Sequence, residues 1–216
     1  MFNVNRVRNC TGLYLCSCGT KVTRHEATTD ELPDLRPDTP PEEQLRQQRR
    51  RVRLRQHCRQ RKIDELRATM HKLHLVQHPD VTFGQKVNLA YDRLNAVCFD
   101  SRLSPASEML HWVHAEQVNY DGCTFGVHGV VVGIVLSADV TSLSDMFGVL
   151  LHEMVHADIE VRQVPVGSLS HGRHFKDGVK HAVAKVMQHL NDFEQIAGTE
   201  LSLDAHRIAK ATFRRE

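Results

Sequence analysis

The sequence predicts an α+β fold in which a long basic helix precedes a compact domain ordered helix, small β-sheet, helix, helix. Three observations carry this. Residues 44–76 contain no proline or glycine, and their first half is dense in arginine. Residues 122–136 are β-branched and glycine-punctuated, as a hairpin or meander requires. Apolar residues recur at helical spacing on both sides of that run.

Taken in order, residues 1–40 form a cysteine-bearing segment ending in a proline-rich linker, with Pro33, Pro37, Pro40 and Pro41 among acids over residues 30–43. Residues 41–78 hold the basic helix, in which Leu45, Val52, Ile63, Leu66, Met70 and Leu73 fall at mostly heptad-like positions interrupted by Arg59, so the second half is amphipathic. The domain itself spans residues 82–195. It opens with a helix over 87–99, marked by Val87, Tyr91, Leu94 and Cys98. Residues 109–118 alternate as a strand around Trp112, and the glycine-punctuated run follows. Phe147, Leu150, Leu151, Met154, Val155 and Ile159 mark a second helix, opened by Ser142 with Asp145 three residues on as a cap. Phe175, Val179, Ala182, Val183, Val186 and Leu190 mark a third. In the tail, residues 196–216, Leu201, Leu203, Ile208 and Phe213 suggest a short amphipathic helix ending in Arg214 and Arg215.

The second helix carries His152-Glu153-Met154-Val155-His156. Side chains four apart share a helix face, so His152 and His156 can offer two imidazole nitrogens to one ion, with Glu153 beside the open position. A catalytic zinc keeps three protein ligands and a water whose pKa it lowers to about 7. Glu153 would accept that water's proton and pass it to the leaving amine. A third ligand must come from downstream, where His171 and His174 are candidates. His171 is preferred: it ends a loop containing Pro165 and Gly167, and Gly172 lets the backbone approach closely. The alternative is an inert histidine pair. It is disfavoured because a polar triplet in an apolar helix is costly to bury without a partner. The order helix, strands, motif helix, helix is that of a compact zincin-type metalloprotease domain. Substrate would lie extended beside the strand ending near Leu136, unless that strand is a plain core element.

From about Phe83 to Leu190, roughly half the chain, the sequence resembles the SprT-like metalloprotease family, which includes Spartan. Three segments carry the resemblance: Leu150-Leu151-His152-Glu153-Met154-Val155-His156-Ala157, His171-Gly172-Arg173-His174-Phe175 fifteen residues on, and Gly133-Ile134-Val135-Leu136-Ser137 upstream. The resemblance implies that His152, His156 and His171 bind Zn2+, that Glu153 is the catalytic carboxylate, and that the substrates are proteins bound or crosslinked to DNA. It leaves His174 as a helix-start residue or a support for the ligands.

Composition is ordinary for a globular protein, with 41% hydrophobic and 25% charged residues. No apolar run approaches the roughly 20 residues that span a bilayer, so no membrane partner is expected. Residues 1–9 carry two arginines and lack the apolar core of a secretory signal. Six cysteines at irregular spacing do not read as a disulfide framework, which points to an intracellular location, nuclear in a eukaryotic or viral setting. Cys10, Cys16, Cys18 and His25 could supply four donors to a second, structural zinc, the alternative being free thiols. Leu15-Cys16-Ser17-Cys18-Gly19 resembles one knuckle of the ribbon that bacterial SprT relatives carry after the protease domain.

The net charge of +2 conceals an asymmetry. Arg46, Arg49, Arg50, Arg51, Arg53, Arg55, Arg59, Arg61 and Lys62 form a run of nine basic residues without an acid, leaving 19 of the 28 basic residues against 26 acids elsewhere. Such a run binds nucleic acid through phosphate, independent of sequence and sensitive to salt. A solvated helix or a nuclear import signal at residues 49–55 is the alternative. His57-Cys58-Arg59-Gln60-Arg61-Lys62-Ile63 also resembles the basic region of leucine-zipper transcription factors. It departs from that family at Arg51, Leu54 and Arg55, so base-specific readout is not expected, and about two apolar heptads support only weak dimerisation. Two functions follow as expectations: a zinc endopeptidase tethered to nucleic acid, or a DNA-binding regulatory protein whose zincin domain is a non-proteolytic scaffold.

Overall fold

In the computed structural model the described residues are 14–15, 40–117, 120–164, 171–201 and 203–210. The expected structural zinc ligands Cys10, Cys16, Cys18 and His25 lie outside them, as do Pro165, Gly167, Phe213, Arg214 and Arg215. Within them the fold is α+β.

Tyr14–Leu15 is a two-residue strand, β1. Helix α1 (Pro41–His71) begins at the expected boundary, with proline in its first turn, where the missing N–H leaves no hydrogen bond unmade. It stops short of Val76, whose N–H instead bonds the Trp112 carbonyl at 2.9 Å. The two halves of α1 differ in environment. Arg46, Arg49, Arg50, Arg53, Arg55, Arg59 and Arg61 are exposed and Arg51 and Lys62 half-buried, whereas Ile63, Leu66 and Met70 are buried on the sheet. The heptad-like stripe is therefore consumed from Ile63 onward by the chain's own core. Of its members only Leu45 and Val52 remain exposed for pairing with a second helix.

Helix α2 (Val81–Cys98) starts six residues before the expected position because Asp80 caps it, its carboxylate accepting the Phe83 N–H at 3.0 Å. A single turn, α3 (Ala106–Met109), leads into β2 (Leu110–Val113). That strand is shorter than the alternating segment 109–118, since a 3-10 turn at Ala115–Gln117 takes the chain out of the sheet. The Gln117 side chain holds the turn there, accepting the His74 N–H at 2.8 Å and donating to its carbonyl at 3.1 Å. Strands β3 (Gly122–Val127) and β4 (Val130–Ser137) form a hairpin through His128 and Gly129, whose φ values of 53° and 79° are those of a type I′ turn.

The sheet order is β1-β3-β4-β2, with β4 antiparallel to β3 and parallel to β2. Over residues 134–136, β4 is paired on both flanks. The expectation that substrate lies beside the strand ending at Leu136 is thus corrected: that strand is internal, and its backbone groups are engaged by β2 and β3.

Alternate residues of the sheet face opposite layers. Cys123, Phe125, Val127 and Val135 cluster with Ile63, Leu66 and Met70 of α1. Ile134, Leu136 and Trp112 join the larger core around α4 (Leu143–Val161). The rest of that core comes from α2, α5 (Arg173–Gln188), α6 (Leu190–Ala197) and the tail, through Leu201, Ile208 and Ala209 of α7 (Ala205–Lys210) and its lead-in. Helix α4 is therefore buried almost all round, which its apolar composition requires. Ser142 caps it as expected, accepting the Asp145 N–H at 3.3 Å. No helix among the described residues is long and apolar enough to cross a membrane.

Candidate metal centre

The central helix brings a polar triplet into the core. His152 and Glu153 have no exposed surface, and His156, one turn on, is half-buried. The third imidazole arrives from just before α5. The Nε2 atoms of His152 and His156 lie 3.2 Å apart, those of His156 and His171 3.0 Å, and those of His171 and His152 3.1 Å. Among the described residues this is the one group of three such side chains able to hold a metal ion. His174 is exposed on the first turn of α5 and does not belong to it.

The donor set fits a cation. The Nδ1 of His152 lies 2.8 Å from the Ile208 carbonyl, which can only accept, so Nδ1 carries the proton and Nε2 is a bare lone pair. Nitrogen lone pairs packed at this distance repel unless a positive charge lies among them. A tetrahedral ion about 2.0–2.1 Å from each ligand would separate the nitrogens by about 3.3 Å, close to what is observed. Phe175, four residues after His171, braces all three rings. Its centroid is 4.2 Å from that of His156, stacked, 4.6 Å from His171 and 4.7 Å from His152.

Glu153 is held by the sheet. Thr124 Oγ1 on β3 lies 2.8 Å from Glu153 Oε2 and 2.9 Å from the Glu153 carbonyl, so its single proton serves either acceptor. Gly122 and Gly126 make this approach possible. A Cβ at Gly122 would stand 2.6 Å from Val149 Cγ1 and 2.9 Å from Glu153 Cγ; one at Gly126 would stand 2.8 Å from Glu160 Cγ. Gly122→Ala is expected to lower the unfolding free energy by about 1–3 kcal/mol through overpacking, measured by urea denaturation.

Burial sets the protonation states. Desolvation depresses the pKa values of His152, His156 and His171, so all three are neutral, as metal ligands must be. It raises the Glu153 carboxyl to about 8 despite the Thr124 hydrogen bond. In metal-free protein these shifts act on stability in opposite directions. Below the unfolded histidine value of 6.5 the unfolded chain binds more protons at the three imidazoles, so stability falls as pH drops. Between 4.5 and about 8 the folded chain keeps a Glu153 proton that the unfolded chain has lost, so that contribution falls as pH rises. Chelator-treated protein is expected to be most stable near pH 6.5, by urea denaturation across pH 5–9. Glu153→Gln should lessen the alkaline decline and leave the acid one.

The structure thus gathers His152, His156 and His171, sets Glu153 against β3, and leaves the nine basic residues of α1 outside that cluster. Four supporting groups escaped the sequence reading. Thr124, Gly122 and Gly126 had a legible signal in the alternation of small residues along β3. The Ile208 carbonyl had none, because a backbone group carries no residue signature. Compared with protein-family models and with curated proteins, the chain matches none.

Proposed function

We propose that this protein is a zinc-dependent endopeptidase of the SprT-like kind, with a zincin-type fold, acting on proteins bound to DNA. The observation that carries the proposal is the convergence of three Nε2 atoms within 3.2 Å of one another, one of them locked as a lone pair, on the helix that also bears Glu153. His152, His156 and His171 would hold the ion. When bound, zinc polarises water and the scissile carbonyl, and its charge favours the carboxylate form of Glu153. Glu153 then takes a proton from the attacking water and delivers it to the leaving amine. Thr124 holds one carboxylate oxygen and so sets the direction of the other.

The exposed arginines of α1 supply the nucleic-acid contact. They line a helix whose anchored half packs on the sheet face opposite α4, so a bound duplex would be tethered to the sheet that α4 covers from its other side. Binding should be insensitive to sequence and weaken steeply with salt, each phosphate contact adding about −0.9 to the slope of log K against log salt. The setting that fits is intracellular, nuclear in a eukaryotic or viral host.

The complete burial of Glu153 favours a second reading, a nucleic-acid-binding protein with a non-proteolytic scaffold. The two separate in one assay: cleavage of a DNA-bound protein, with and without DNA, by the wild-type chain and by Glu153→Gln. Zinc-dependent cleavage lost in the variant supports the protease. Cleavage by neither form, with zinc bound, supports the scaffold.

A further inference from the structure

We propose that α7 is a clamp on the metal site, in which the carbonyl of Ile208 is the positioning group that fixes the tautomer and ring direction of His152. The inference rests on the metal reading above and extends it to a segment outside the motif-bearing domain.

The hydrogen bond from His152 Nδ1 to the Ile208 carbonyl, 2.8 Å long and buried, spans 56 residues of sequence. It determines which ring nitrogen is left for a ligand bond. Groups of this kind orient ligating histidines and raise their basicity, and removing one typically costs about 10–100-fold in metal affinity. The carbonyl suits the task for two reasons. It lies in the last turn of α7, where carbonyls lack partners within the helix, and the negative end of the helix dipole adds to its strength as an acceptor.

Helix α7 has only six residues, too few to persist without tertiary support. Its support is specific. Ile208 and Ala209 are buried in the main core. Asp204 caps the helix, accepting the N–H groups of His206 at 2.8 Å and Arg207 at 3.1 Å. Arg207 pairs with Asp145 of α4 at 3.8 Å. The helix packs on both α4 and α5, so it bridges the element that carries His152 and His156 and the one that follows His171. Docking of α7 and correct presentation of the first ligand are therefore a single event, and residues remote from the ion, Asp204 above all, should tune affinity for it.

The test uses the full chain and three variants: Ile208→Gly, which removes the anchor and loosens the helix; Asp204→Ala, which removes the cap; and Asp204→Asn, which keeps one. Two readouts are taken: zinc affinity by chelator competition, and the tautomer of His152 in metal-free protein from long-range 15N–1H imidazole spectra. The wild-type chain should show a single Nδ1–H tautomer. Ile208→Gly should lose about tenfold or more in zinc affinity and show mixed tautomers. Asp204→Ala should shift both readouts in the same direction by less, and Asp204→Asn should restore both. If Ile208→Gly does not fold, the Asp204 pair decides by the same readouts. Variants that bind zinc as tightly as wild type, with His152 unchanged, overturn this inference alone. A full chain that binds no zinc overturns both it and the metal reading.

Discussion

Glu153→Gln is expected to lower kcat/KM for peptide-bond cleavage by about a hundredfold or more while leaving the zinc content of the protein unchanged. The substitution is nearly isosteric, and the amide oxygen still accepts the Thr124 hydroxyl that holds Oε2 at 2.8 Å. What is lost is the capacity to take a proton from water and return it to the leaving amine. Losing a positioned acid–base group costs about 10²–10⁴-fold in rate, and that is the expected fall in kcat/KM. Stability should not suffer, because the wild-type carboxyl is wholly buried and raised to about 8, so the neutral amide relieves a cost. Steady-state cleavage assays beside metal analysis of the same samples check this. Cleavage at the wild-type rate in the variant would remove Glu153 from the mechanism, and zinc lost with it would make Glu153 a ligand instead.

The second large effect separates two histidines three residues apart. His171→Ala should release the ion, whereas His174→Ala should retain it in full. A structural zinc site of four ligands is worth about 10–16 kcal/mol, so one ligand of three stands for several kcal/mol, on the order of 10²-fold or more in affinity. The structural contrast is clear: His171 Nε2 lies 3.0 and 3.1 Å from the Nε2 atoms of His156 and His152, and His174 is exposed on the first turn of α5. Zinc stoichiometry after dialysis against a weak chelator reads the difference directly. Equal loss in both variants would mean that the α5 start, rather than the His171 ring, is what the site needs.

The features legible in the sequence are those set by local pattern. The apolar spacing around His152 located α4, and the burial cost of a polar triplet in that pattern pointed to a partner for it. The third imidazole of the cluster was legible because His171 and Gly172 stand just before the apolar pattern of α5 begins. What escaped was set by distant contacts. Nothing in Gly133-Ile134-Val135-Leu136-Ser137 tells an edge strand from an inner one; β4 is inner because β2, from a separate part of the chain, pairs with it in parallel. The apolar stripe of α1 suggested pairing with another helix, yet Ile63, Leu66 and Met70 are used by this chain's own sheet. The early start of α2 had a signal in Asp80, which follows Pro79 and stands three residues before Phe83. The bond from Ile208 to His152 joins a tail helix to the motif and belongs to no sequence pattern.

The central claim is that three imidazoles share one divalent ion, and anomalous X-ray diffraction at the zinc edge from crystals grown with zinc tests it most directly. A single peak about 2.0–2.1 Å from the Nε2 atoms of His152, His156 and His171 is the expected result. A peak held by other side chains, or none where those three nitrogens meet, would contradict it.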